Sequence, residues 1–97
     1  MPVYVVAQLR FTDVERYRRY QSRFADVFKK YPGGRLLAAD EAPARLDGDW
    51  QADKIVIMAF DTEDQARGFL DSPEYDEISV DRRAGAETSA LLVRGFG

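Results

Sequence analysis

Six consecutive apolar residues, Ile55 to Phe60, followed at once by two capped helix starts, constrain this chain more than any other stretch. The run is short and rich in β-branched side chains, so it reads as a strand covered on both faces rather than as a helix. Thr62 with Gln65 three residues later is a reciprocal capping box opening a helix from Glu63 to about Asp71. Ser72-Pro73-Glu74 repeats the signal for a shorter helix from Pro73 to Arg83, with a good cap, a proline suited to the first helical position and an early negative charge.

Upstream, Val3, Val5, Ala7 and Leu9 alternate with Tyr4, Val6, Gln8 and Arg10, which predicts a first strand with one fully apolar face. Thr12 to Glu15 has the form of a capping box. The stripe Val14, Tyr17, Tyr20, Phe24, Val27, Phe28 and Tyr31 then predicts a long amphipathic helix whose other face carries Arg16, Arg18, Arg19, Arg23, Lys29 and Lys30. Pro32-Gly33-Gly34 ends that helix, and a second strand starts at Arg35. Residues 40–53 hold a turn at Asp47-Gly48 and suggest a short return strand or bulged extension over residues 44–48, with Trp50 as a packing or interface residue. Thr88 to Arg94 is the last strand.

Strand, helix, strand, strand, helix, strand is the split βαβ order of an α+β, ferredoxin-like βαββαβ domain with a four-stranded antiparallel sheet. Both crossover helices lie on one face of such a sheet. The central strands are apolar at both parities, Val56, Met58 and Phe60 on one and Ile55, Ile57 and Ala59 on the other, so the second face needs a cover. A second copy packed sheet against sheet supplies it, which predicts a homodimer forming a dimeric α+β barrel, with Val56 and Met58 facing the partner.

Residues 1–97 suit a single domain. There is no cysteine and no histidine, which removes disulfides, thiolate nucleophiles, the usual metal and haem ligands and the usual base of a serine or cysteine nucleophile. No metal and no cofactor are expected. A net charge of -3 argues against a nucleic-acid surface. No apolar run approaches the roughly 18 residues of a membrane span, and the first residues read as a strand rather than a signal peptide, so the expected location is cytoplasmic.

Gly33-Gly34-Arg35 opening the second strand, Phe60 before the next helix, Ser72-Pro73-Glu74-Tyr75 and Arg82, together with Tyr20, Leu46, Gly48 and Gly95, resemble a small bacterial family of domains of unknown function in the dimeric α+β barrel superfamily. The likeness spans nearly the whole chain. Where that family continues its second strand with another arginine and a glycine pair, this chain has Ala39-Asp40-Glu41. The resemblance implies the fold and no established activity. More distant barrel relatives include cofactor-independent quinone-forming monooxygenases, haem-degrading enzymes and small isomerases.

Two function classes remain open at the level of sequence. One is a cofactor-independent enzyme of monooxygenase or isomerase type acting on a small organic anion, with Arg35 and Arg82 binding an anionic or enolate oxygen, Tyr20 or Tyr75 as proton donor and Asp61 as base. The other is a non-catalytic dimeric module binding a small carboxylate or a protein partner, in which the same arginines pair with Glu74 or Asp61 or neutralise the ligand.

Overall fold

The computed structural model describes residues 1–96. Along these residues the order is β1 (Val3–Phe11), α1 (Val14–Phe28), β2 (Gly34–Asp40), β3 (Lys54–Phe60), α2 (Glu63–Leu70), α3 (Pro73–Gly85) and β4 (Ala86–Arg94). The strands form one antiparallel sheet in the order β2-β3-β1-β4. Both middle strands pair on each side, and the helices cover one face: this is the ferredoxin-like arrangement.

Strand alternation decides what each face holds. Val3, Val5 and Leu9 point toward the helices with Met58 and Phe60, and there they meet Tyr17, Tyr20, Tyr75 and Ile78. Phe69 of α2 is the hub of this core, with its ring 4.6 Å from that of Tyr75 and 5.1 Å from that of Phe28, centroid to centroid. Gly34 is glycine because a Cβ there would come within 2.9 Å of the Phe28 and Phe60 rings. The opposite face carries the rung Ala38, Ile57, Val6 and Leu91, of which Leu91 is 68% exposed.

That register reverses the expected parity of β3. Val56 pairs with Ala7 and Met58 with Val5, so both turn toward the helices, and Ile55, Ile57 and Ala59 form the open side. A strand apolar at every position does not reveal which side is which, and the cross-strand register does.

Local signals held at two caps and moved at a third. Thr62 and Ser72 each accept the backbone N–H three residues on, at 3.1 Å. The box at Thr62 is one-sided, since the Gln65 Oε1 is buried without a donor. At α1 the cap is Asp13 rather than Thr12, because the Thr12 and Asp13 N–H groups both donate to the Gly85 carbonyl, which holds the chain extended for one more residue. No return strand forms over residues 44–48, and β4 begins at Ala86. The basic side of α1 and of the turn after it is met by acids of α3: Arg16 pairs with Asp81 at 2.7 Å, Arg23 with Glu77 at 3.4 Å and Lys30 with Glu74 at 2.8 Å. Among the described residues no helix is long and apolar enough to cross a membrane.

Candidate active site

A cavity of about 430 Å³ lies between the sheet and the helices. Its floor has a simple origin. The rung Ala39, Val56, Ala7 and Ala90 crosses the helix-facing side of all four strands, and three of its four members are alanine, so the sheet is low there. Tyr20, Phe24 and Ala25 of α1 form the roof, and Tyr75 and Arg82 of α3 close one side. Among the described residues the lining contains no carboxylate.

Arg82 is incompletely satisfied in this space. Its Nε is buried without an acceptor, and among the described residues no carboxylate lies within ion-pair distance of its guanidinium. Its neighbours are two π faces, with Cζ 6.0 Å from the Tyr20 ring centroid and 5.9 Å from that of Tyr75. Cation–π attraction offsets part of the desolvation cost of a guanidinium, but an anion satisfies it far better.

Beside it the Tyr20 and Tyr75 hydroxyls are hydrogen-bonded at 2.9 Å. One phenol donates to the other, which leaves the second proton for a ligand oxygen. Burial, reinforced by the neighbouring Tyr75, pushes the Tyr20 phenol well above its ordinary range, and burial with Glu41 nearby pushes Tyr17 up to about 12. Both stay protonated at neutral pH, so the Tyr20 hydroxyl is chemically suited to donate a proton in a hydrogen bond and not to act as a base.

These shifts predict alkaline instability. A group that holds its proton more tightly when folded contributes stability that is fully present below its unfolded pKa and is lost as pH rises through the folded one. Denaturant midpoints are therefore expected to fall from near pH 10 upward, Tyr17 alone accounting for about 2 to 3 kcal/mol by pH 12. A phenolate absorbance change completed near pH 10 for every tyrosine of the folded protein would contradict this.

Lys54 is a second cation of the lining, on the same side of β3 as Val56 and Met58. Burial lowers its pKa, and Glu41 opposes that shift. Among the described residues no cluster of three or more acidic side chains could hold a metal ion.

Of the residues singled out from sequence, Tyr20, Tyr75 and Arg82 come together at the cavity. Arg35 and Asp61 do not. Arg35 pairs with Ala59 on the open face and reaches Asp61 at 3.1 Å, the two side chains being 55% and 60% exposed. The expected convergence of Arg35 with Arg82 is thus replaced by a surface ion pair, and Asp61 is no base for this site. Glu74 is taken by Lys30 and Tyr31, each at 2.8 Å. Sequence reasoning missed Lys54, Thr88 and the alanine floor. Lys54 has the parity of Val56, Met58 and Phe60, so the reversed parity of β3 also hid that it faces inward.

Comparisons fit this architecture. A protein of unknown function from Rhodopseudomonas palustris superposes with a TM-score of 0.80 at 17% identity, over 99% of this chain and 83% of its own. SnoaB, a cofactor-independent oxygenase from Streptomyces nogalater, gives 0.73 at 18% identity over 99% and 94%. A dimeric ferredoxin-like protein of unknown function from Jannaschia sp. CCS1 gives 0.78 at 10% identity over 98% and 100%. At such identities the likeness shows the fold. No curated protein matches the chain. The family profile described as Domain of unknown function (DUF1330) matches residues 2–96, and the chain belongs to that family.

Proposed function

We propose that this protein is a homodimer whose cavity binds a small, largely apolar organic anion, with an anionic or enolate oxygen on Arg82 and the free proton of the Tyr20–Tyr75 pair. The observation that carries this reading is the Arg82 guanidinium, buried at Nε without an acceptor and lining a cavity to which no carboxylate among the described residues contributes. Arg82 is only partly buried, but its enclosed Nε–H leaves a desolvation cost that an anion would recover. The same groups suit cofactor-independent chemistry of monooxygenase or isomerase type: a guanidinium and a neutral phenol stabilise the enolate or phenolate oxygen of a ligand that has already given its acidic proton to solvent. Similarity to SnoaB supports that extension. The carboxylate-free lining favours the second reading, a non-catalytic module that holds a small carboxylate.

Calorimetric titration of aromatic and aliphatic carboxylates tests the binding. Arg82→Gln is expected to weaken the best ligand by about 1.5 to 3 kcal/mol, the worth of a hydrogen bond to a charged group. Ala7→Leu, which raises the floor, is expected to weaken it without touching any polar group. Equal affinity in a folded Arg82→Gln variant would remove Arg82 from the site. Oxygen uptake or proton exchange with the ligand that binds then separates enzyme from binding module.

A further inference from the structure

We propose that Lys54 and Thr88 form a second polar subsite of this cavity, so that the ligand is an organic acid with a second carbonyl or carboxylate oxygen rather than a monocarboxylate. The inference rests on the binding reading above and specifies the ligand class.

Lys54 and Thr88 flank Leu9 in one rung on the helix-facing side of the sheet, two strand spacings or about 10 Å apart at Cα. The next rung is the alanine floor, so both side chains stand at the edge of the empty space. The Thr88 Oγ1 is buried and has no hydrogen-bond partner. Lys54 has a side chain only 4% exposed, with its ammonium 4.9 Å from the Tyr17 ring centroid. Among the described residues its one acidic partner, Glu41, lies 3.5 Å away, while Arg18 holds both oxygens of that carboxylate, one of them at 2.7 Å. An ammonium has three donors, and one long contact to a carboxylate already engaged elsewhere leaves it under-satisfied.

A packing role does not call for lysine here, since Val56, Met58 and Phe60 fill the other positions of this parity with apolar groups. Two donors beside the floor add to the guanidinium and two phenols at the α3 side, so one cavity offers two sets of groups for ligand oxygens. Such a site suits an acid whose carbon skeleton lies over the alanines and whose second oxygen reaches Lys54 and Thr88.

The test uses matched probes on the full chain: phenylpyruvate against hydrocinnamate, and isophthalate against benzoate, titrated by calorimetry. Wild type is expected to bind the two-function member of at least one pair about tenfold tighter, consistent with an added charge-assisted hydrogen bond. Lys54→Met is expected to erase that preference, and Thr88→Val to reduce it. Arg82→Gln weakens both members alike. Equal affinities within both pairs for wild type, or an unchanged preference in folded Lys54→Met, overturns the subsite while the binding reading stands. Should Lys54→Met fail to fold, an unchanged preference in Thr88→Val overturns it instead. Wild type that binds none of the four acids overturns both readings together.

Discussion

Alanine in place of Gly85 is expected to lower the unfolding free energy by about 3 kcal/mol, the upper end of what overpacking usually costs. The reason is a backbone approach and not a turn. A Cβ built on Gly85 would fall well inside contact distance of the Tyr17 N, 2.7 Å from the Asp13 O and 2.9 Å from the Tyr17 Cα. All three are main-chain atoms of the first turn of α1, so no rotamer change relieves the clash. The only escape is to part the end of α3 from the start of α1, which breaks the bonds from the Thr12 and Asp13 N–H groups to the Gly85 carbonyl at 2.9 and 3.1 Å. Those helices carry Arg82 and Tyr75 on one side and Tyr17 and Tyr20 on the other, so the cavity is expected to loosen with them. For a domain of this size the melting temperature should fall by on the order of 15 °C. Gly68 supplies the contrast. It lies within α2 with nothing inside 4 Å of its built Cβ, and Gly68→Ala is expected to stabilise by up to about 1 kcal/mol. Equal melting temperatures for the two variants would refute the close-approach argument.

How far these features were legible in the sequence differs by the kind of signal each required. The elements were readable from local chemistry: Ser72-Pro73 and Thr62 cap the helices they precede, and the aromatic stripe from Tyr17 to Phe28 lies on one side of α1. Their order then gave the sheet, because few topologies accommodate βαββαβ. Readings that needed one strand placed against another were less secure. The parity of β3 went the wrong way since Ile55 and Val56 are equally apolar, and the alanine floor joins residues 7, 39, 56 and 90, which meet only through strand pairing. Tyr20, Tyr75 and Arg82 were recognisable as residues whose chemistry suits an anion, and their convergence follows from α1 lying beside α3. Arg35 looked equivalent in sequence, yet its position beside Ala59 turns it to the other side of the sheet, where Asp61 meets it. Asp13 displaced Thr12 as a cap for a similar reason: the Gly85 carbonyl, 72 residues from Asp13 along the chain, holds that turn.

Ile57→Glu is expected to convert the proposed homodimer into folded monomer, raising its dissociation constant by at least a thousandfold, or about 4 kcal/mol. Ile57 occupies the middle of the open face, between Ala38 and Val6, with Leu91 one strand further on. Leu91 and Val93 are exposed in the single chain, and together with Ile55 and Tyr4 they make an apolar sheet surface that one set of helices leaves uncovered. Sheet-to-sheet pairing about a two-fold axis would bury this surface and bring the two Ile57 side chains into one interface. A carboxylate at that position is then desolvated in both copies with no cation of the same rung to pair with, and unpaired buried charges cost about 3 to 5 kcal/mol each. In the monomer the same side chain remains partly exposed, so the fold should survive with a far smaller loss. Val56→Glu makes the opposite prediction: it enters the cavity floor on the helix side and should impair stability and ligand binding before it affects assembly. Sedimentation equilibrium at low micromolar concentration, with circular dichroism to confirm folding, separates the two. A wild type that sediments as monomer would remove the dimer from the proposal, and a dimer that persists in Ile57→Glu would place the interface on another surface.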